Sequence, residues 1–305
     1  MISVVIPLYN KEVSILNTIN SVLNQSFRDF ELIVVNDGSV DNSLVTISSI
    51  TDSRLKIISQ KNSGVSVARN NGIGLAKYNY IALLDGDDLW EVSFLEDMKS
   101  FIDDFPEAAL YGCGYYFQND GSSMTTPDLG INKSYRGYVD YFYYAKNNTL
   151  FTSSSVVFRK ESFLEIGGFD TNLTKGEDID LWIRFALNHK VAFFNKPLAV
   201  YRLDGENRAL NRPFIKSESL IWNLDRFKAH ETTNPVFKEF LDNWRLANIS
   251  NFLAGNRTDI DEIKELLSAI DLKKYSKIWT ILRIMPLFAQ PAVYKFWIYL
   301  KNKLR

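Results

Sequence analysis

The 305-residue chain holds one cysteine, Cys113, and only two histidines. A single thiol cannot close an intrachain disulfide, and so few soft ligands make a zinc site improbable, so a reducing compartment fits. Charge of either sign is not in excess. The 35 Lys and Arg against 36 Asp and Glu leave a net charge of -1, which argues against global attraction to nucleic acid. No internal repeat and no low-complexity linker is visible. The N-terminus, Met-Ile-Ser-Val-Val-Ile-Pro, lacks a basic region and reaches Pro7 at once, so it reads as a first strand and not as a signal peptide, and the expected location is cytoplasmic. Also missing is the Gly-x-Gly-x-x-Gly turn that follows the first strand of a dinucleotide site, which removes the main support for a dehydrogenase.

What is present is a hydrophobic content of 46%, ample for one large α/β domain with an appendage or for two modest domains. Short runs rich in Val, Ile, Leu and aromatics occupy residues 2–8, 30–36, 54–59 and 80–84, each ending near Asn, Asp, Gly or Ser. Helical spacing lies between them: Leu16, Ile19, Val22 and Leu23 share one face, and Val65, Ala68, Gly72 and Leu75 another. Alternation of this kind, with right-handed crossovers, predicts a mostly parallel doubly wound sheet, Rossmann-like, with helices on both faces. A helix is expected over 92–105, after which the pattern loosens into a Gly- and Tyr-rich region, 111–148. A strand at 154–159, a helix near 178–187 and two β-like pieces at 191–195 and 197–202 follow. The pattern divides the chain into an α/β domain, 1–212, itself in two parts, 1–110 and 111–212, and a helical region, 213–305.

Chemistry concentrates at the ends of the predicted strands. After the fourth comes Asp85-Gly86-Asp87-Asp88, where Gly86 allows a sharp turn and two carboxylates can point at one ion. Hard Mg²⁺ or Mn²⁺ suits oxygen ligands and often takes only one or two from protein. Asp-x-Asp also occurs at Asp178/Asp180 and Asp259/Asp261, so position at a strand end is what distinguishes the first. After the first strand, Pro7-Leu8-Tyr9-Asn10-Lys11-Glu12 offers in Tyr9 a flat surface for a ring. After the second, Asp37 can accept hydrogen bonds from a base or ribose, although Asp-Gly-Ser followed by Asp41 and Asn42 is equally a helix entry. Gly64 opens a helix whose amides and Arg69 can meet phosphate, although an ordinary helix start looks much the same. Four acids, Asp170, Glu177, Asp178 and Asp180, then fall within eleven residues. Helix-capping covers Glu177 and Asp180, whereas Asp178 can be aimed across a cleft as a general base.

In this order, Val-Val-Ile-Pro-Leu-Tyr-Asn, Asn-Asp-Gly-Ser-Val-Asp-Asn, Gly-Val-Ser-Val-Ala-Arg-Asn, Leu-Leu-Asp-Gly-Asp-Asp, Gly-Gly-Phe-Asp and Glu-Asp-Ile-Asp-Leu-Trp resemble the family 2 glycosyltransferases of the GT-A fold, over roughly residues 2 to 205. The resemblance implies inverting, metal-dependent transfer from a nucleotide sugar, most often UDP-linked, to a hydroxyl of a glycan or lipid-linked glycan in bacterial-type surface polysaccharide assembly. It implies that Tyr9 and Glu12 lie beside the nucleoside, that Asp37 contacts the base, that Arg69 lies near the nucleotide and that Asp85 approaches the ribose. Pro7 and Gly86, within the same motifs, join that donor-binding set. Asp87 would ligate Mg²⁺ or Mn²⁺, Asp178 would be the catalytic base, and Glu177 and Trp182 would shape the acceptor side. One departure is Tyr201-Arg202-Leu203-Asp204, where relatives often carry Tyr-Arg-x-His; Asp204 is read as a turn residue and not as a substitute ligand.

Two aromatic segments complete the reading. Tyr135, Tyr138, Tyr141, Phe142, Tyr143 and Tyr144 are expected to form a helix packed by one face, with an acceptor wall as the alternative. Residues 271–305 hold eight Lys or Arg and one acid among many aromatics, with only eleven uncharged residues between Arg283 and Lys295. That is too short for a spanning helix, which needs about 20, and suits either an anionic membrane surface or packing on the domain. The rival functions are a sugar nucleotidyltransferase, for which the first loop lacks a Gly-rich, basic triphosphate cradle, and a non-catalytic nucleotide-sugar-binding protein, against which the intact Asp85, Asp87 and Asp178 speak.

Overall fold

The structure, a computed structural model, describes residues 1–119, 123–146, 148–207, 215–254 and 260–270. Two compact units divide it, Met1–Asp225 and Arg226–Arg305. The first contains β1 (Ile2–Leu8), α1 (Ile15–Leu23), β2 (Phe30–Asn36), α2 (Ser43–Ser48), β3 (Leu55–Ser59), α3 (Val65–Leu75), β4 (Tyr80–Leu83), β5 (Leu89–Trp90), α4 (Phe94–Asp104) and β6 (Ala108–Gln118). It continues through β7 (Arg136–Val139), α5 (Tyr141–Ala145), β8 (Val156–Arg159), α6 (Lys160–Glu165), α7 (Glu177–Asn188) and β9 (Lys190–Arg202). All nine strands join one sheet in the order β3-β2-β1-β4-β8-β6-β9-β5, with β7 beside β9.

The α/β sheet expected from the apolar runs is present. Strands β3, β2, β1 and β4 are parallel, and their continuous Val/Ile content follows from burial on both faces. Ile2, Val4, Ile6 and Leu8 of β1 meet Ile15, Ile19 and Val22 of α1 and Phe94, Met98 and Phe101 of α4 in one core. On the opposite face α3 lies so close that a Cβ on Gly72 would stand 2.5 Å from Val5 Cγ1. Pro7 falls beyond the last β1–β4 rung, Val5 with Leu83, where its missing N–H is no loss on that side. The helix faces differ in detail from the spacing: α1 buries Ile15, Thr18, Ile19 and Val22 while Leu16 is exposed, and α3 buries Arg69 while Leu75 is exposed.

Beyond β4 the sheet becomes mixed, since β8 is antiparallel to both β4 and β6 while β6 and β9 are parallel. Three expectations change there. The region read as loose from Tyr111 begins inside a buried eleven-residue strand, β6. Its glycines have a packing reason, because Gly112 lies against the Phe151 ring and a Cβ on Gly114 would meet the Lys196–Pro197 backbone at 3.1 Å. The pieces at 191–195 and 197–202 form the single strand β9, which accommodates Pro197 at register shifts around Gly114. The aromatic cluster is not one helix but β7 followed by the short α5, capped by Asp140 accepting from Tyr143 N.

The first unit runs past residue 212 to Asp225 because the Lys175 and Ser219 backbones bridge and Leu220 N donates to Lys175 O. The second unit contains α8 (Lys228–Thr233), α9 (Pro235–Ala254) and α10 (Ile260–Ser268). Within it, Arg245 donates to Glu231 at 2.7 and 3.0 Å and to Asp242 at 3.1 Å. Among the described residues no helix is long and apolar enough to cross a membrane. The basic, aromatic-rich stretch 271–305 lies outside the described residues.

Candidate active site

The chain leaves β1 to one side for β2 and β3 and to the other for β4, and open α/β sheets hold ligands beyond the strand ends at such a switch point. The loops after β1 and β4 meet there. Thr18 Oγ1 donates to Gly86 O at 3.1 Å, and a Cβ on Gly86 would come within 3.3 Å of Pro7 O. Pro7 and Gly86 therefore set how closely the acidic turn approaches the first loop, and Tyr9 sits half-buried beside them.

Each acid of that turn has a different neighbour. Asp85 accepts from Arg69 Nη2 at 2.7 Å. Asp87, mostly buried, accepts from Lys11 Nζ at 2.6 Å. Burial pushes its carboxyl up, Lys11 opposes this, and the charge of Asp85 adds to the rise. Asp88, whose role the sequence left open, is an anchor: Oδ2 accepts from Ser154 Oγ at 2.5 Å and Oδ1 from Arg202 N at 2.9 Å. Ser154 Oγ in turn accepts from Asp85 N at 3.1 Å, so Asp88 ties the turn to the end of β9.

The segment after β9 lies over the first loop. Arg202 pairs with Asp204 at 2.9 Å, in keeping with a turn residue. Glu206 Oε1 accepts from Val13 N and Ser14 N, both at 3.1 Å, and Oε2 from Ser14 Oγ, which caps α1 from a distant part of the chain. Those amide and hydroxyl bonds offset burial and hold the Glu206 carboxyl below its usual range. Lys11 Nζ also donates to Glu206 O, and Asn207 Nδ2 to Tyr9 O at 3.2 Å.

Arg69 is the centre of the second cluster. It is buried, donates to Asp85 at 2.7 Å and to Glu177 at 3.3 Å, and lies 5.1 Å above the Phe169 ring. Burial works against its charge, but Asp85, Glu177 and Asp178 more than offset this and hold its pKa above the ordinary arginine value. Glu177 and Asp178 open α7 behind Gly176, which adopts the left-handed φ of 78° that favours glycine. Burial and the adjacent Asp178 push the Glu177 carboxyl up to about 7, with Arg69 opposing. Asp178 is raised by burial, again against Arg69 and a 2.8 Å bond from Ile179 N. A carboxylate of raised pKa is a stronger base, so the environment suits Asp178 to accept a proton from a hydroxyl.

Tyr141, from α5, lies within the field of Asp178: burial and that charge both push its phenol up. Phe151 packs 5.3 Å from the Tyr141 ring and 5.7 Å from Trp182. Trp182 itself is fully buried, so it backs this aromatic wall from behind and does not touch its surface. Tyr141 and Lys11 are the site residues that motif reading missed. In the sequence Tyr141 is one of a crowd of aromatics, and Lys11 belongs to no motif although it adjoins Asn10, whose φ of 51° marks a special turn.

Several acids prove to have structural partners. Asp37 accepts from Gln60 Nε2 at 2.9 Å, Ser63 N at 2.8 Å and Gly64 N at 2.9 Å, which fixes the entry to α3 beside the site. Glu12 is exposed and accepts from Asn42 N at 2.8 Å at the start of α2. Asp180 is fully buried and holds Arg184 at 2.6 Å, whose fork reaches Ile166 O and Gly168 O at 2.7 Å and braces the Gly167–Gly168 turn. Asn70 ties α3 to the same turn through Phe169 N and O at 3.0 and 2.9 Å. Cys113 is buried with its thiol pushed up, which leaves it unreactive.

Residues 3–167 match the model of Glycosyl transferase family 2. Over 245 residues the chain is 31% identical to the amylovoran biosynthesis glycosyltransferase AmsB of Erwinia amylovora, covering 77% of this chain and 80% of that protein. It is 28% identical over 250 residues to an uncharacterized glycosyltransferase of Rickettsia conorii, covering 82% of this chain but 40% of that relative, whose length it therefore spans by less than half. Among solved structures, S. aureus TarS 1-349 in complex with UDP-GlcNAc is similar with a TM-score of 0.69 at 21% identity, covering 88% of this chain and 79% of that one. The chain shares the GT-A fold with that protein.

Proposed function

Because the chain belongs to glycosyl transferase family 2, we propose that it transfers a sugar, with inversion, from a UDP-linked donor to a hydroxyl of a glycan or lipid-linked glycan acceptor in surface polysaccharide assembly. The observation that carries this reading is the cluster in which Arg69 joins Asp85 of the β4 turn to Glu177, directly beside Asp178 at the head of α7. The donor end and the proposed base thus share one buried cation. UDP-GlcNAc in the TarS complex supports the choice of UDP, and the amylovoran role in the AmsB name supports a polysaccharide product.

In this reading Asp178 takes the acceptor hydroxyl's proton as that oxygen attacks, and one base with one in-line displacement gives inversion. Arg69 keeps Asp85 turned toward the donor and Glu177 and Asp178 anionic enough to act. Asp37 and Tyr9 border the nucleoside, and Tyr141 borders the acceptor. A divalent cation fits the residues present, since Asp85 and Asp87 are adjacent hard donors. Asp87, with Asp85 beside it, would hold Mg²⁺ or Mn²⁺ together with diphosphate oxygens, since such ions often take only one or two ligands from protein. Once bound, the ion supplies charge neutralisation for the departing diphosphate. The composition of 271–305 supports a seat on anionic headgroups, beside a lipid-linked acceptor. A panel of nucleotide sugars, tested for metal-dependent binding and slow hydrolysis, is expected to single out UDP-sugars; binding that needs no metal, or selection of another nucleotide, would contradict the assignment.

A further inference from the structure

Lys11 occupies a place that the proposed chemistry leaves unexplained. Its ammonium lies 2.6 Å from Asp87 Oδ2, and both side chains are only 12% exposed. Its other partner is Glu206 O, on the segment whose side chain caps α1. Gly205, next in that segment, lies against the Asp87 carboxylate with no room for a Cβ. The Lys11 stem is held as well, since a Cβ on Gly86 would touch its Cγ at 3.4 Å. Asp87 is thus enclosed by a cation on one side and by the strap 203–207 on the other. An ion bound at about 2.0–2.1 Å to the same carboxylate would stand within a few ångströms of the ammonium, and like charges so close in a partly desolvated site repel strongly.

We propose that Lys11 is a built-in counter-ion of the metal site, which holds Asp87 in the donor-free protein and yields it only when a divalent cation arrives with a diphosphate. The ion alone has to displace the ammonium and gains nothing in return. A diphosphate changes the balance, because it brings oxygen ligands for the ion and an anion to which the released ammonium can turn. Release of Lys11 also frees Glu206 O, so loading of the site and loosening of the strap are one event. Metal and UDP therefore bind with positive cooperativity, and Lys11 is the residue that couples them. This inference rests on the assignment of Asp87 as metal ligand.

The test is Mn²⁺ binding, followed by paramagnetic resonance of the free ion, on the full chain with and without UDP. Wild type is expected to bind Mn²⁺ weakly alone and much more tightly with UDP. Lys11→Gln and Lys11→Met, the second preserving the stem, are expected to bind Mn²⁺ alone at least about tenfold more tightly, with the gain from UDP reduced. Lys11→Arg, which keeps the charge, should behave as wild type. Circular dichroism and melting curves establish that each variant is folded. Asp87→Asn separates the two levels. If it leaves Mn²⁺ binding with UDP intact, the metal-ligand assignment itself fails. If it abolishes binding while neither neutral Lys11 variant binds Mn²⁺ alone more tightly than wild type, or Lys11→Arg binds it as tightly as they do, the counter-ion role is overturned.

Discussion

Replacing Arg69 with methionine keeps most of the stem volume and removes the one cation shared by Asp85 and Glu177. Removing one partner of a buried pair typically costs on the order of 3–5 kcal/mol. Lost packing could cost as much, so the informative feature is pH dependence. The Glu177 carboxyl is already pushed up from 4.5 to about 7, worth roughly 3 kcal/mol at about 1.4 kcal/mol per tenfold in proton affinity. Without Arg69 both Glu177 and Asp178 rise further. A carboxyl with a folded pKa above its unfolded value destabilises the fold progressively as pH climbs from the unfolded value to the folded one. In wild type the Glu177 penalty is complete near pH 7, whereas in Arg69→Met it continues to grow above that. Urea denaturation at several pH values should show the stability gap between the two proteins widening from pH 6 to pH 9, by about 1.4 kcal/mol for each further tenfold in proton affinity. Adding Glu177→Gln to the variant should recover part of the loss at pH 9. A gap that is constant across this range, or that Glu177→Gln leaves unchanged, would refute the view that Arg69 acts by charge.

Gly205→Ala places a methyl against the Asp87 carboxylate and is expected to weaken Mn²⁺–UDP binding by about tenfold or more, about 1.4 kcal/mol in calorimetry, with little change in melting temperature; unchanged affinity would show that the strap does not matter to the site. Arg184→Met leaves fully buried Asp180 without its guanidinium and frees Ile166 O and Gly168 O, so scanning calorimetry should record a fall on the order of 10 °C, and a fall within error would remove the bracing role. Deleting residues 271–305 should release the protein from anionic vesicles in a sedimentation assay, and unchanged binding would count against the surface seat.

The parallel half of the sheet was legible because strands buried on both faces carry an unbroken apolar signal that needs no partner to be read. The second half was not. Gly112 and Gly114 weaken β6 as a pattern, yet each glycine is there because Phe151 or the Lys196–Pro197 backbone comes too close for a side chain. Pro197 splits β9 in the sequence, and only the register shift beside Gly114 shows how one strand can contain it. At the site, motifs located the acids but could not divide them by task. Asp88 and Asp180 resemble Asp87 and Asp178 on paper, and bonds that brace the fold, from Ser154 and Arg202 for one and from Arg184 for the other, are what set them apart. Lys11 was unreadable for a similar reason, since its meaning lies in Asp87 and Glu206, 76 and 195 residues away in the chain.

The proposed base, Asp178, is probed by Asp178→Asn under conditions where chemistry limits the rate. Asparagine retains the size and a hydrogen-bonding oxygen but cannot take the proton. Single-turnover transfer from a UDP-sugar should slow by about 10²–10⁴-fold while metal-dependent donor binding stays within a few fold of wild type. In wild type the acid limb of the rate profile should lie above the ordinary aspartate range, because burial raises the Asp178 carboxyl. Transfer by Asp178→Asn at the wild-type single-turnover rate would rule out Asp178 as the base.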